Sequence, residues 1–418
     1  MNITFGRFTD AYKPKSQTGL WNACENLYNE KKYFESYKLF FDYLKDADSD
    51  NVFYSIDNNF LRFQFIQGSK EIRGYFDGSK ITAISVIAGY DSANVAVFRR
   101  LMELNYTLYY CRFAVKDNRI VLKFDSSILD CSPNKLFYGL RELAIRADKQ
   151  DDTLISEFKS LSDIESKARP YSQEQVDIMK KYFRKWISAC LAKVSGLNKE
   201  QYSGGISYIY LNVLYRIDYL LTPQGVVFND ILKMSWTYFN DKESTLLQKL
   251  DYLGDDLKKI NEYDDEKLAK NFYGVISTFG LNPPALKQSV DDSIINNIQN
   301  IKWYIDNNNQ EIALNILEYI TGYCLFSYGL NRSLRNMLGL IMQIINNDYV
   351  KEINNIDNLV TNNIVNKDFI IQKFTEYIEL DKAEFPDLNM NFDNIKFDTI
   401  LNFAKTTLEE ITKLNYKN

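Results

Sequence analysis

The chain contains no histidine in 418 residues. Imidazole is the one side chain that titrates near neutrality unperturbed, and it is the commonest metal ligand. Its absence excludes Ser-His and Cys-His nucleophile pairs and His-ligated zinc. Any chemistry would rest on carboxylates, lysines, tyrosines or thiols. Cysteine is also sparse: Cys24, Cys111, Cys131, Cys190 and Cys324 are odd in number, widely spaced and without a C-x-x-C. Free thiols in a reducing compartment fit that pattern; a disulfide framework or zinc site does not. No G-x-G-x-x-G occurs, and Gly68-Ser69-Lys70 lacks the earlier spaced glycine of a phosphate loop. Long apolar runs are missing as well. Uncharged stretches such as Tyr319–Asn331 are too short to span a bilayer. The opening MNITFGRFTD lacks the basic-then-apolar pattern of a secretory leader, so a cytoplasmic protein with no membrane partner is expected.

Charge of one sign is not concentrated anywhere. The formal net charge is −5, with +3 over residues 1–150 and −8 beyond. The densest basic runs, Lys180-Lys181 with Arg184-Lys185 and the pair Arg99-Arg100, read as solvated faces of amphipathic helices. A nucleic-acid binder would carry a basic stripe, so nucleic acid is not an expected partner.

Aromatic residues are what the chain has in excess, with 30 tyrosines and 27 phenylalanines. Rings fill cores efficiently and also make adhesive surfaces. Residues 18–45 carry helical periodicity in two segments, joined at NEKK. From residue 52 the period falls from about 3.6 to about 2 through VFYSID, FLRFQFIQ, KEIRGYFDG and KITAISVIAGY. Asn58-Asn59, Gly68-Ser69 and Asp77-Gly78 supply the hairpin junctions. Asp91 or Ser92 then caps a helix with the apolar stripe Val95, Phe98, Leu101 and Met102. The runs TLYYCRFAV and RIVLKFDSS predict two further strands, and a helix begins after Pro133.

This order predicts an α+β N-terminal domain over residues 1–160, an antiparallel meander sheet with helices on one face. The polar, proline-bearing stretch 161–175 is expected as a linker. Residues 176–418 carry helical periods throughout and predict an all-α helical domain. Because TLYYCRFAV is apolar on nearly both faces, the second face of the sheet is expected to need a cover.

No metal or cofactor is expected. Asp46, Asp48, Asp50 and Asp57 approach calcium-loop spacing, but Asn51 stands where the sharp turn needs glycine, so the run reads as a solvated helix exit. Gly89-Tyr90-Asp91-Ser92-Ala93 has the outline of a nucleophile turn without a histidine base. The acidic cluster from Asp251 to Glu266 alternates with lysines and reads as an exposed helix face. Trp21, Trp186, Trp236 and Trp303 each sit on an apolar helical stripe and read as core anchors.

The element order, with FLRFQFIQGSKEIRGYFDG, NVAVFRRLMELNYTLYYCRFAV and the closing KLFYGLRELAIRADKQDD, resembles the type III secretion chaperone-like fold over about residues 17–160. The resemblance implies a non-catalytic, dimeric protein that holds extended client segments on exposed apolar patches. The expectation is therefore a cytoplasmic protein-binding, chaperone-like protein and not an enzyme. Its partner is a protein client, or a second copy in a homodimer. Phe63, Phe65, Tyr109, Tyr110 and Phe113 are the expected partner-binding residues. The alternative is a histidine-free enzyme with a carboxylate or tyrosine site in the helical domain.

Overall fold

Leu61, Phe63 and Phe65 alternate with Arg62 and Gln64, which forces one wet and one dry face on their strand. A computed structural model describes residues 2–58, 60–92 and 94–416. Asn59 of the first hairpin junction and Ala93 of the serine turn lie outside the described residues. The chain forms two compact units. One comprises Lys13–Pro170 and Tyr273–Leu281; the other comprises Met1–Tyr12, Tyr171–Phe272 and Asn282–Asn418.

The sheet unit begins with α1 (Lys15–Asn29) and α2 (Tyr33–Leu44). Strands β1 (Val52–Asp57), β2 (Phe60–Gln67), β3 (Lys70–Phe76) and β4 (Lys80–Tyr90) follow as a meander. Then come α3 (Val95–Asn105), β5 (Arg112–Lys116), β6 (Arg119–Ser127), α4 (Pro133–Glu157), β7 (Leu161–Ser162), β8 (Arg169–Pro170) and β9 (Tyr273–Gly274). The main sheet is antiparallel with the order β1-β2-β3-β4-β6-β5, and β7 pairs with β4. Ser132 caps α4 through its side chain, and Pro133 supplies the preset first turn. One face of α4, with Leu136, Leu140, Leu143 and Ala147, is buried in the same core as Phe65, Ile72, Phe76, Ala83 and Phe124 of the sheet.

The other face of the sheet corrects the expectation. One register row across it reads Gln64, Arg73, Ile84, Lys123 and Arg112, and the next reads Arg62, Tyr75, Thr82 and Asp125. That is a charged, wettable surface. The expectation failed because TLYYCRFAV is not one strand. Helix α3 continues to Asn105, and residues 106–111 form a loop before β5 starts at Arg112. The N–H groups of Tyr109, Tyr110 and Cys111 all donate to the Glu142 carboxylate, at 2.9, 2.7 and 2.9 Å. A charge-assisted acceptor on α4 thus takes the bonds a strand ladder would have used. The cap of α3 also differs: Asn94, not Asp91 or Ser92, accepts from Ala96 N and Val97 N.

The segment expected as a linker carries β7 and β8, and β8 pairs with β9. Between them Glu165 bridges Arg73 and Arg119, while Lys167 reaches Glu71. Its charges therefore find counter-charges beside the wet face of the sheet.

The helical unit contains α5 (Gln173–Ser195), α6 (Lys199–Leu220), α7 (Gly225–Asn240), α8 (Leu246–Asn261), α9 (Asp265–Ala269) and α10 (Lys287–Ile298). It continues with α11 (Ile301–Asp306), α12 (Gln310–Ser327), α13 (Arg332–Ile345), α14 (Asn347–Asn354), the hairpin β10 (Val360–Thr361) and β11 (Ile364–Val365), α15 (Lys367–Glu379) and α16 (Ile400–Ile411). Capping boxes start α5 (Ser172 with Gln175) and α8 (Thr245 with Gln248). Helices α6 and α12 are buried over most of their circumference, as their nearly continuous apolar sequences require. The first residues of the chain belong here: Arg7 pairs with Asp218 at 2.7 Å and lies over the Phe228 ring. Trp186 is buried, but Trp236 and Trp303 are exposed, contrary to their reading as core anchors. Helices α7 and α11 each turn a different apolar stripe inward, which spacing alone does not decide. Among the described residues, no helix is long and apolar enough to cross a membrane.

Candidate partner-binding surface

Helix α3 has more apolar residues than one face can hold. Val97 and Leu101 turn inward and are buried. At about 100° per residue, Val95, Met102 and Tyr106 fall on one opposite stripe. They are 84%, 72% and 94% exposed, and Tyr109 in the following loop is 86% exposed. Monomeric proteins rarely leave several large apolar side chains this bare in one short segment.

The expected site residues divide. Phe63, Phe65 and Phe113 are core: Phe63 stacks on Phe41 at 4.4 Å, Phe65 meets Phe279 edge-on, and Phe113 is buried among them. They leave no face for a partner. Tyr109 and Tyr110 are exposed, on the loop that Glu142 holds. Sequence reasoning missed Val95, Met102 and Tyr106. Of the expected stripe Val95, Phe98, Leu101 and Met102, Leu101 is buried and Phe98 packs on the core, while Val95 and Met102 face outward and Val97 takes the inward place. The signal available was Asn94, a good cap three residues before Val97.

The sheet also has two edges, and they differ. At β5 the Asn105 side chain accepts from Phe113 N (2.6 Å) and donates to Phe113 O (3.2 Å), imitating a neighbouring strand. That carboxamide blunts the edge. At β1, Ile66 N donates to Asn51 O, so by alternation Phe53, Ser55 and Asp57 face β2. The N–H and C=O groups of Val52, Tyr54 and Ile56 point the other way. Among the described residues no backbone bond meets them. The exposed side chains of Phe53 and Ile56 flank this open edge.

Titratable groups concentrate at the hairpin joining β2 and β3. Lys70 lies 3.1 Å from Asp151 and 3.3 Å from Asp163; Ser69 Oγ donates to Asp151 at 2.6 Å; Tyr273 OH donates to Asp152 at 2.9 Å. Burial pushes the Asp151 carboxyl well above the usual range, Asp152 and Asp148 add to the rise, and Lys70 opposes it. Burial also raises Asp152, against the hydrogen bond from Tyr273. Raised folded-state values mean that the native state binds protons more tightly than the unfolded chain. The contribution of these two carboxyls is therefore fullest below the ordinary carboxylate range and is lost as pH rises through the raised values. Asp152→Asn keeps an acceptor for Tyr273 and removes a buried like charge. It is expected to stabilise the unit by on the order of 1 kcal/mol near neutral pH and to flatten its acid dependence. Urea titrations at pH 5 and pH 8 would show this; equal stability of the two proteins at both values would contradict it.

The remaining chemistry is muted. All five cysteines are buried and unpaired. Burial pushes Cys24 and Cys131 up to about 11, and Cys190 and Cys324 up to about 12, so none is a thiolate near neutrality. In the Asp46–Asp57 loop the Asn51 side chain accepts from Asp46 N and donates to Leu44 O, which ties the turn together. Among the described residues, no group of three or more potential ligands is placed to hold a metal. No protein-family model matches the sequence, and no curated protein matches it.

Proposed function

We propose that this is a non-catalytic, cytoplasmic protein-binding protein of chaperone-like action, which holds a protein partner on its sheet unit. The observation that carries the reading is the bare stripe Val95, Met102 and Tyr106, continued by Tyr109. A partner's apolar side chains would be buried there, gaining about 25 cal/mol per Å² removed from water. The open edge of β1 offers main-chain pairing to an extended segment at the opposite end of the sheet order. The resemblance to the type III secretion chaperone-like fold supports the same use, since it implies extended clients. Five unpaired cysteines support a reducing compartment.

The alternative, an enzyme site in the helical unit, draws less support. Its most deeply buried carboxylate, Glu318, accepts from Arg216, Asn212 and Asn346 and has no proton to give.

The test is Met102→Glu with Tyr106→Glu. Both side chains are solvent-facing, so the unfolding temperature should hold, with a cost within about 0.5 kcal/mol. On an array of extended apolar peptides, the natural chain should retain a subset at micromolar strength. The double variant should bind that subset at least about tenfold more weakly, a loss of about 1.4 kcal/mol. Unchanged retention by the variant, or no retention by the natural chain, would refute the reading.

A further inference from the structure

A cleft of about 260 Å³ opens in the helical unit, lined among others by Trp186, Lys193, Asn212, Arg216, Asn315 and Glu318. It is independent of the surface on α3. Asn212, one turn before Arg216 on α6, is 1% exposed. Its Nδ2 donates to Glu318 Oε2 at 2.7 Å and to Asn315 Oδ1 at 3.1 Å. Glu318 stays ionised: burial works to raise it, but the Arg216 charge and the bonds from Arg216, Asn212 and Asn346 hold it below the usual glutamate value. An ionised carboxylate only accepts, so the Asn212 amide cannot be turned around. Its Oδ1 is left buried with no hydrogen bond from any described protein group. Orphaned buried acceptors are rare in native proteins and call for an explanation.

The surroundings narrow what could satisfy it. Arg216 is paired with Glu318, and Lys193 Nζ lies 2.9 Å from Glu311 without hydrogen-bond geometry, so the formal charges lining the cleft balance. Arg216 spends Nε and Nη2 on Glu318, which leaves Nη1 outside the fork. Asn212 and Arg216 both donate to the same oxygen, Glu318 Oε2, and both line the cleft. The complement of an acceptor beside a donor is an N–H beside a carbonyl. The volume is below the roughly 300–1,000 Å³ of sites for drug-sized ligands, which suits a single ring or a short carboxamide.

We propose that this cleft binds a small neutral amide, imide or ureide, its N–H donating to Asn212 Oδ1 and its carbonyl accepting from Arg216 Nη1. The probes are uracil and nicotinamide, titrated calorimetrically into the full chain, with 1,3-dimethyluracil and N,N-diethylnicotinamide as forms without the N–H. At least one parent amide should bind below about 1 mM, and its alkylated form at least about tenfold more weakly. This comparison needs no variant, so a misfolded protein cannot obscure it. Arg216→Lys keeps the charge opposite Glu318 but loses Nη1 and one arm of the fork, so it should lower the unfolding temperature and, in the protein that remains folded, weaken the bound amide about tenfold. Absence of binding by both parents up to about 10 mM, equal binding of an alkylated form, or unchanged affinity in a folded Arg216→Lys protein would each overturn the proposal.

Discussion

Replacing Glu318 with alanine should cost about 3–5 kcal/mol and is the most damaging single change expected in the helical unit. The carboxylate is buried where α6 meets α12, with Arg216 Nε at 2.6 Å, Asn212 Nδ2 at 2.7 Å and Asn346 Nδ2 at 2.7 Å. Alanine removes the only charge facing the fork of Arg216 and leaves the amide donors of Asn212 and Asn346 without it. The loss lies in the stranded partners more than in the bond itself. Replacing the pair together, Arg216→Met with Glu318→Met, should recover the part due to the stranded guanidinium, while Asn212 and Asn346 keep Asn315 Oδ1 and Met342 O as acceptors. The depressed value of Glu318 contributes to the acid limb: its contribution is present above the ordinary glutamate range and is lost as pH falls through the folded value. Chemical denaturation of the single and paired variants measures this. A cost under about 1 kcal/mol for Glu318→Ala would mean that water reaches the pair.

Gly68→Ala should be strongly damaging in the sheet unit. Gly68 takes φ +59° at the first of the two residues joining β2 to β3, as a type II′ hairpin turn requires. An added Cβ would lie 1.7 Å from Asp148 Oδ1, the atom that accepts from Ser69 N at 2.8 Å. The carboxylate must move, beside a buried Asp151 whose charge it already opposes. The left-handed backbone costs about 1–2 kcal/mol and the lost charge-assisted bond about 1.5–3 kcal/mol, so a total near 3–4 kcal/mol is expected. Gly78→Ala is the control. Gly78 has φ +87° at the next hairpin, but its nearest neighbour would be 3.8 Å away, so only the backbone term applies. Equal losses for the two variants in urea titrations would contradict the collision.

Much of this architecture was legible because it is written locally. FLRFQFIQ declares its two faces by alternation, and its dry face is the one found in the core. Asp77-Gly78 declared a hairpin, and Asp77 Oδ1 accepts from the N–H groups of Ser79 and Lys80. Asp117 and Asn118, with φ of 51° and 56°, make the β5–β6 turn. What sequence could not reveal depends on partners far along the chain. The strand in TLYYCRFAV is cut short by Glu142, which lies on another element and takes three of its N–H groups. The first residues join the helices through Asp218 and Tyr219, and residues 273–281 join the sheet through Ile66, Gln67 and Gly68. The stripe on α3 was misassigned for a related reason: two registers satisfied the same period, and only packing chose between them.

Hydrogen–deuterium exchange on the full chain, alone and with a retained peptide in excess, bears most directly on the role of α3. Amides of residues 95–111 should exchange more slowly once the peptide is bound, and Met102→Glu with Tyr106→Glu should abolish that slowing. Protection confined to the helical unit, with residues 95–111 unchanged, would place the partner elsewhere and end the assignment of this surface.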